Sequence, residues 1–195
     1  MSPLRGFLLR TLAWLPVCFA AWYFLSILFT LPLAALVETA LGSTFPAVFR
    51  QVVPDGNVLV VLSQIQVSAA GDQPGELMFR LNPLMYGYAL PLYTALVLAT
   101  DGDDLGRLLY WLLGMAVLVS VQVFGIATEA LKIIAFELGD DGRAALDLAP
   151  WGYDALALAY QLGYLILPPV VPIMLWLGQF GQTQIGTLLT DQDGV

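Results

Sequence analysis

Histidine is absent from this chain of 195 residues, and cysteine occurs once, at Cys18. Without histidine the chain can form neither a Ser-His-Asp triad nor a Cys-His pair, and it lacks the commonest imidazole ligand for metals. A single cysteine excludes an intramolecular disulfide, a CxxC redox motif and cysteine-rich zinc or iron–sulfur sites. No basic residue lies near Cys18 in sequence to activate it, so we interpret it as a small apolar residue. The sequence therefore predicts no enzyme activity and no cofactor.

Charge is also scarce, and basic charge is the scarcer sign. Charged residues make up 11% of the chain, against about 25% in an ordinary soluble domain. There are 7 basic and 15 acidic residues, for a net charge of -8. A nucleic-acid-binding protein would carry a basic stripe, and none is present. Asp101, Asp103 and Asp104 lack the glycine and glutamate spacing of a calcium loop, so we interpret them as a solvated turn without a metal.

Long apolar runs are what the chain has in abundance. Hydrophobic residues make up 59% of the sequence, and the mean hydropathy is +0.80. A helix that crosses about 30 Å of hydrocarbon needs roughly 20 mostly apolar residues. The sequence predicts a mainly α membrane protein with four transmembrane helices and a small extracytoplasmic β-hairpin segment between helices 1 and 2. The predicted segments are a cytoplasmic N-tail with helix 1 (1–37), the extracytoplasmic segment (38–83), helix 2 (84–100), a cytoplasmic loop (101–107), helix 3 with a projecting end (108–138), an extracytoplasmic loop (139–150), a proline-kinked helix 4 (151–180) and a cytoplasmic tail (181–195).

The orientation rests on the basic residues before the first apolar run. Arg5 and Arg10 precede that run, and the positive-inside rule places both termini in the cytoplasm. A cleaved signal peptide would start similarly, but its apolar region would stop after about 7–15 residues. The run from Thr11 to Val37 is longer, which favours an uncleaved multi-pass protein embedded in the bilayer.

The segment 38–83 combines one helical and two strand-like patterns. Apolar residues between Thr44 and Val53 follow a helical spacing and predict a short amphipathic helix. Pro54 to Asn57 is a turn signal. Val58–Ser68 and Glu76–Leu81 are apolar or alternating, and a polar loop separates them, so they predict a β-hairpin.

Polar residues within apolar runs are the first candidates for function, because they are costly in lipid. Gln122, Gly125, Glu129 and Lys132 are spaced 3, 4 and 3 apart, which places them on one helical face. In an antiparallel arrangement, Asp154 would lie at the same extracytoplasmic interface. The candidate partner-contact residues are Arg80, Asn82, Tyr86, Tyr88, Glu129, Lys132 and Asp154. The alternative is a set of interfacial charges at helix ends, satisfied by water and by one another.

Two stretches resemble a known family of small membrane proteins. These are the stretch from Phe79-Arg80-Leu81-Asn82-Pro83 through Tyr86-Gly87-Tyr88 to Leu92, and the entry Leu9–Pro16 with Cys18-Phe19 and Trp22-Tyr23. They are similar to the family named for its genetic association with exosortase H, over nearly the whole chain. The resemblance implies a location in the bacterial inner membrane. It also implies association with an exosortase, a multi-spanning cysteine peptidase or transpeptidase, and with the C-terminally tagged substrates that it sorts.

The resemblance and the residues together favour a non-enzymatic accessory subunit of a protein-sorting system. Exosortase chemistry uses cysteine with histidine and arginine, and this chain has no histidine. A second interpretation is a structural or assembly subunit of another membrane complex. A third is a small transporter or channel, although a proton or ion path would need an acidic residue near the middle of a span.

Overall fold

The computed structural model describes the backbone of residues 3–68 and 74–190, and the side chains of residues 4–66 and 75–181. The helices are α1 (Pro3–Thr44), α2 (Leu84–Gly87), α3 (Ala89–Ala99), α4 (Asp104–Lys132), α5 (Gly139–Leu146), α6 (Pro150–Gln161) and α7 (Leu167–Thr190). The strands are β1 (Phe49–Asp55), β2 (Val58–Ser68) and β3 (Pro74–Leu81). Two π-helical turns, Ile133–Glu137 and Leu162–Ile166, follow α4 and α6.

Within the described residues, three helical stretches are long and apolar enough to cross a membrane. They are Leu4–Thr44, Asp104–Glu137 and Pro150–Gly181. The sequence prediction of a fourth span over 84–100 is not confirmed. That segment forms α2 and α3, which are separated at Tyr88. The 11 residues of α3 measure roughly 16 Å at 1.5 Å each, well short of the hydrocarbon thickness.

The chain divides into two compact units. Unit 1 consists of Met1–Leu25, Gly87–Ser120 and Leu167–Val195, and unit 2 of Ser26–Tyr86 and Val121–Ile166. Helices α1 and α4 each contribute to both units.

Unit 2 is built around a three-stranded antiparallel sheet in the order β1-β2-β3. Its core combines residues of α1, the sheet, α4 and α6. Val37 and Leu41 of α1 and Leu59 and Val61 of β2 are fully buried in it. This packing explains why α1 continues to Thr44, seven residues past the predicted end of helix 1. At the edge of the sheet formed by β1, the Glu38 carboxylate accepts a hydrogen bond from the backbone N–H of Val52, at 2.9 Å.

The predicted amphipathic helix over 44–53 is wrong, because residues 49–55 form β1 and pair with β2. Phe49 and Val52 are buried in the core of unit 2, and a register irregularity between Phe49 and Gln51 lets their spacing of three fit a strand. The two predicted strands are confirmed, since β2 is Val58–Ser68 and β3 ends at Leu81. The predicted hairpin is therefore two strands of a three-stranded sheet. The loop predicted over 71–75 lies largely outside the described residues.

The segments after α4 are more helical than the sequence predicts. Part of the predicted loop 139–150 forms α5, whose Leu146 is buried. The prolines at 168, 169 and 172 do not break the fourth apolar run, because α6, a π-helical turn and α7 follow one another without a gap. Pro168 and Pro169 have no N–H groups to donate to the carbonyl oxygens of the preceding turn. That turn, Leu162–Ile166, is π-helical.

Unit 1 contains the first part of α1 with α3, the first part of α4 and α7. Leu90, Tyr93 and Val97 of α3 pack with Leu118 of α4, and Trp22 and Trp176 lie against this cluster. Polar side chains also connect the helices. Trp176 Nε1 donates to Thr100 Oγ1 at 2.8 Å, and the guanidinium of Arg10 pairs with the carboxylate of Asp101.

Candidate functional site

The site that best matches the candidate residues lies in unit 2, where Tyr86 meets the polar face of α4. Tyr86 lies in α2, which follows the sheet. The Asn82 carboxamide oxygen accepts a hydrogen bond from the backbone N–H of Leu84 at the start of this helix. Gln122 Nε2 donates to the backbone oxygen of Pro83 at 3.0 Å and holds this turn against α4. Gln122 and Gly125, two members of the predicted shared face, both lie against the segment from Pro83 to Tyr86.

The Tyr86 ring is fixed by a close approach to α4. A Cβ atom added at Gly125 would lie 2.3 Å from Cδ1 of this ring, so glycine is required for the contact. Gly163 repeats the arrangement, because a Cβ atom there would lie 2.9 Å from the Cα of Gly125. The backbones of α4 and the second π-helical turn therefore touch at a pair of glycines, as in the small-residue contacts of membrane helices.

Two more tyrosines complete the wall around Tyr86. The rings of Tyr86 and Tyr164 meet edge to face, with centroids 6.0 Å apart. Tyr164 and Tyr160 are stacked at 5.9 Å. Lys132 Nζ lies 5.6 Å from the centre of the Tyr160 ring, within the range of a cation–π interaction. We call Tyr86, Glu129, Lys132, Tyr160 and Tyr164 the polar cluster.

The centre of the polar cluster is a pair of buried polar atoms. The Tyr86 hydroxyl and the Glu129 carboxylate interact electrostatically. Their geometry does not form a hydrogen bond, and among the described residues neither Tyr86 Oη nor Glu129 Oε2 has another partner. A buried polar atom without a partner costs about 1–3 kcal/mol, so this pair requires an explanation.

Lys132 does not neutralise Glu129 through a direct ion pair. Its Nζ pairs instead with Glu137 Oε1 at 2.5 Å. Glu137 lies in the first π-helical turn and Tyr164 in the second. Such turns are rare and often occur at functional sites, because they reorient side chains within a helix.

The other candidate residues lie outside the polar cluster. Arg80 pairs with Asp55 across the sheet at 3.0 Å, and both side chains are exposed. Asp154 is exposed on α6, and no ion pair to it occurs among the described residues. Tyr88 belongs to unit 1 and precedes α3. These residues remain candidates only for contacts with a partner.

Sequence reasoning missed Tyr160, Tyr164, Gly163 and Glu137. Tyr160 and Tyr164 are four residues apart with Gly163 between them, which is a recognisable signal for one helical face. Cys18 is buried, and no group of three or more potential metal ligands occurs among the residues that the structure describes.

A family model for exosortase H-associated membrane proteins matches residues 1–183. The chain belongs to this family. The match includes all of unit 2, most of unit 1 and every residue of the polar cluster. No curated protein and no solved structure matches the chain significantly. The exosortase H-associated family is therefore the relationship that links this fold to a membrane-associated system.

Proposed function

We propose that this chain is a non-enzymatic accessory subunit of an exosortase-type C-terminal protein-sorting system. It holds or presents the tagged substrate, or stabilises the peptidase, by contact within the membrane. Family membership over residues 1–183 supports the association. The absence of histidine supports a role without peptidase chemistry of its own.

The observation that carries this proposal is the family match over residues 1–183, and the pair Tyr86 Oη and Glu129 Oε2 is the contact that we infer for it. Glu129 lies toward the end of the apolar stretch Asp104–Glu137, about 37 Å from Asp104 at 1.5 Å per residue, and its buried carboxylate oxygen is costly without a partner. Its side chain is partly exposed while Oε2 itself is buried, so a neighbouring helix can contact the side chain and reaches Oε2 only when the surrounding side chains shift. A hydroxyl, amide or basic group from the partner would satisfy the buried oxygen and recover its desolvation cost.

The walls of the polar cluster suit such a contact. Glycines 125 and 163 fix the backbones, and the tyrosines leave few alternative positions for the Glu129 side chain. A preorganised carboxylate loses little conformational entropy when a donor arrives, which favours binding.

Affinity purification of the tagged full-length chain in mild detergent, with mass spectrometry of co-purifying proteins, tests the proposal. We expect an exosortase or its tagged substrates to be recovered with the wild-type chain. Glu129→Gln and Tyr86→Phe should each reduce that recovery about fivefold or more. Asp141→Asn removes an exposed carboxylate on α5 and is the matched control, with recovery unchanged.

Two results would contradict parts of the proposal. Recovery of a different stoichiometric complex would assign the chain to a structural role in that complex. Unchanged recovery of the exosortase with Glu129→Gln and Tyr86→Phe would retain the accessory role and exclude the polar cluster as the contact.

A further inference from the structure

A groove in unit 1 runs between α3 and the start of α4. It encloses about 410 Å³, which is within the usual range of roughly 300–1,000 Å³ for small-molecule sites. Its apolar wall is formed by Val97 and Leu98 of α3 with Leu108 and Trp111 of α4. Trp111 is held in place because its Nε1 donates to Thr94 Oγ1 at 3.1 Å.

One end of this groove is charged. Arg107 lines it together with Asp104, and the Arg107 guanidinium donates to Asp104 Oδ1 at 2.5 Å and to the backbone oxygen of Thr100 at 3.1 Å. These bonds fix the guanidinium and use two of its five N–H donors among the described contacts. Arg107 also lines a second cleft of about 240 Å³ with Asp101, Asp103 and Tyr110.

The position of this charged end matches the membrane interface. The apolar stretch Asp104–Glu137 begins at Asp104, so Arg107 lies in its first turn and Trp111 one turn deeper. A span's end lies at headgroup depth, where arginine and tryptophan are favoured. An amphipathic ligand would therefore meet Arg107 with its polar end and the apolar wall with its chain.

We propose that this groove binds one phospholipid with a zwitterionic ethanolamine headgroup. The Arg107 guanidinium binds the phosphate, Asp104 accepts the ammonium group, and an acyl chain lies against Leu98, Leu108 and Trp111. The proposal is independent of the sorting role.

Charge complementarity selects a zwitterionic over an anionic headgroup. Arg107 stands among three carboxylates, Asp101, Asp103 and Asp104, and Asp101 is paired with Arg10. Two guanidinium groups and three carboxylates leave a net negative local charge, which repels a second negative group on the ligand. The Asp104 side chain is 91% exposed and reachable by an ammonium group.

Lipid binding to the delipidated full-length chain in detergent, followed by native mass spectrometry, tests this inference. The probes are dioleoyl phosphatidylethanolamine, dioleoyl phosphatidylglycerol with the same chains, and O-phosphoethanolamine without chains. We expect the wild-type chain to bind the ethanolamine lipid about fivefold or more tightly than the glycerol lipid, and O-phosphoethanolamine at least about tenfold more weakly than either.

Variants separate the two ends of the site. Arg107→Gln should weaken both lipids about tenfold, and Arg107→Lys should recover part of that loss. Leu98→Trp fills the groove from an exposed position and should weaken both lipids without changing the preference. Asp104→Asn should reduce the preference to less than twofold. Arg50→Gln, on the sheet of unit 2, is the control and should bind as the wild type does.

Three results would overturn the proposal. Wild-type binding by both Arg107→Gln and Leu98→Trp would show nonspecific lipid only. A preference for the glycerol lipid would contradict the ammonium contact. Equal binding of O-phosphoethanolamine and the lipid would exclude the groove and leave a phosphate site alone.

Discussion

The ring of Tyr86 occupies the space that a side chain at position 125 would need. A Cβ atom on Gly125 would lie 2.3 Å from Tyr86 Cδ1 and 2.8 Å from Cε1. Tyr86 is almost completely buried, so its ring cannot move away without disturbing the core of unit 2. The same contact holds the Tyr86 hydroxyl beside Glu129.

Gly125→Ala should therefore destabilise the protein and disturb the polar cluster. Overpacking of a buried contact costs about 1–3 kcal/mol, which corresponds to a loss of roughly 3–10 °C in the thermal midpoint. Thermal unfolding in detergent measures this change. Gly178→Ala is the control, because no atom lies within 4 Å of the added Cβ. An equal midpoint for Gly125→Ala and the wild type would contradict the close contact.

Ser63→Ala should destabilise the sheet. Ser63 is fully buried where the pairing of β2 with both neighbours is irregular. Its hydroxyl donates to the backbone oxygen of Val48 at 2.8 Å and accepts the N–H of Ile65 at 3.1 Å. Val48 O keeps a second donor, Gln64 N, whereas the N–H of Ile65 loses its partner.

The expected cost of Ser63→Ala is about 1–3 kcal/mol, the usual penalty for an unsatisfied buried group. Thermal unfolding in detergent again gives the change. Ser120→Ala is the matched control, since Ser120 is exposed and its hydroxyl bonds only to the carbonyl of Ala116 in its own helix among the described contacts. Similar midpoints for the two variants would show that the Ser63 hydroxyl is not needed at the irregular pairing.

Local sequence patterns predicted the elements for which the pattern fits only one kind of structure. The turn signal Pro54–Asn57 is confirmed, with Gly56 at a φ of +62° between the paired residues Asp55 and Val58. The polar face of α4 followed from spacing alone. By contrast, the apolar spacing from 45 to 53 fits one helical face as well as a strand, and the pairing of β1 with β2 decided the outcome.

The polar cluster was partly predictable. The cost of polar groups in lipid identified Glu129 and Lys132, and Tyr86 was a further candidate; the structure brings the three together. Tyr160 and Tyr164 join them only because the helices touch at Gly125 and Gly163, a long-range contact that hydropathy does not encode. The sequence also predicted a full span over residues 84–100, where α3 is short. An apolar run has the same hydropathy whether lipid or protein surrounds it, so hydropathy does not distinguish the two.

Acid should remove the contribution of the pair between Arg10 and Asp101. The Arg10 guanidinium, by hydrogen bonding to the Asp101 carboxylate, holds the pKa of that carboxyl below its ordinary value. A carboxyl whose folded pKa is depressed stabilises the fold above its unfolded pKa of about 3.9, and this stabilisation is lost as pH falls through the folded pKa. Since both side chains are exposed, the contribution is at most about 1 kcal/mol.

Thermal unfolding of the wild type and Asp101→Asn between pH 7 and pH 3 measures this dependence. The wild type should melt about 1–4 °C higher at pH 7, and the difference should shrink as the pH falls below about 3.9. Arg10→Gln should behave like Asp101→Asn, and the double variant should add little. A difference that stays constant over this range would exclude titration of Asp101 as its source.

The sheet and the loop before α4 should be accessible from opposite sides of the membrane. If Arg5 and Arg10 orient the N-terminus toward the cytoplasm, as the sequence predicts, residues 38–83 lie outside, and a crossing over residues 84–100 puts residues 101–107 inside. Met78 is 62% exposed on β3, and Gly102 has no atom within 4 Å of an added Cβ.

In a Cys18→Ala background, Met78→Cys should react with a membrane-impermeant thiol reagent in intact cells, whereas Gly102→Cys should react only after lysis. The unmodified Cys18→Ala chain gives the background labelling. The reverse pattern would invert the orientation, and labelling of both positions from outside would exclude a crossing between them.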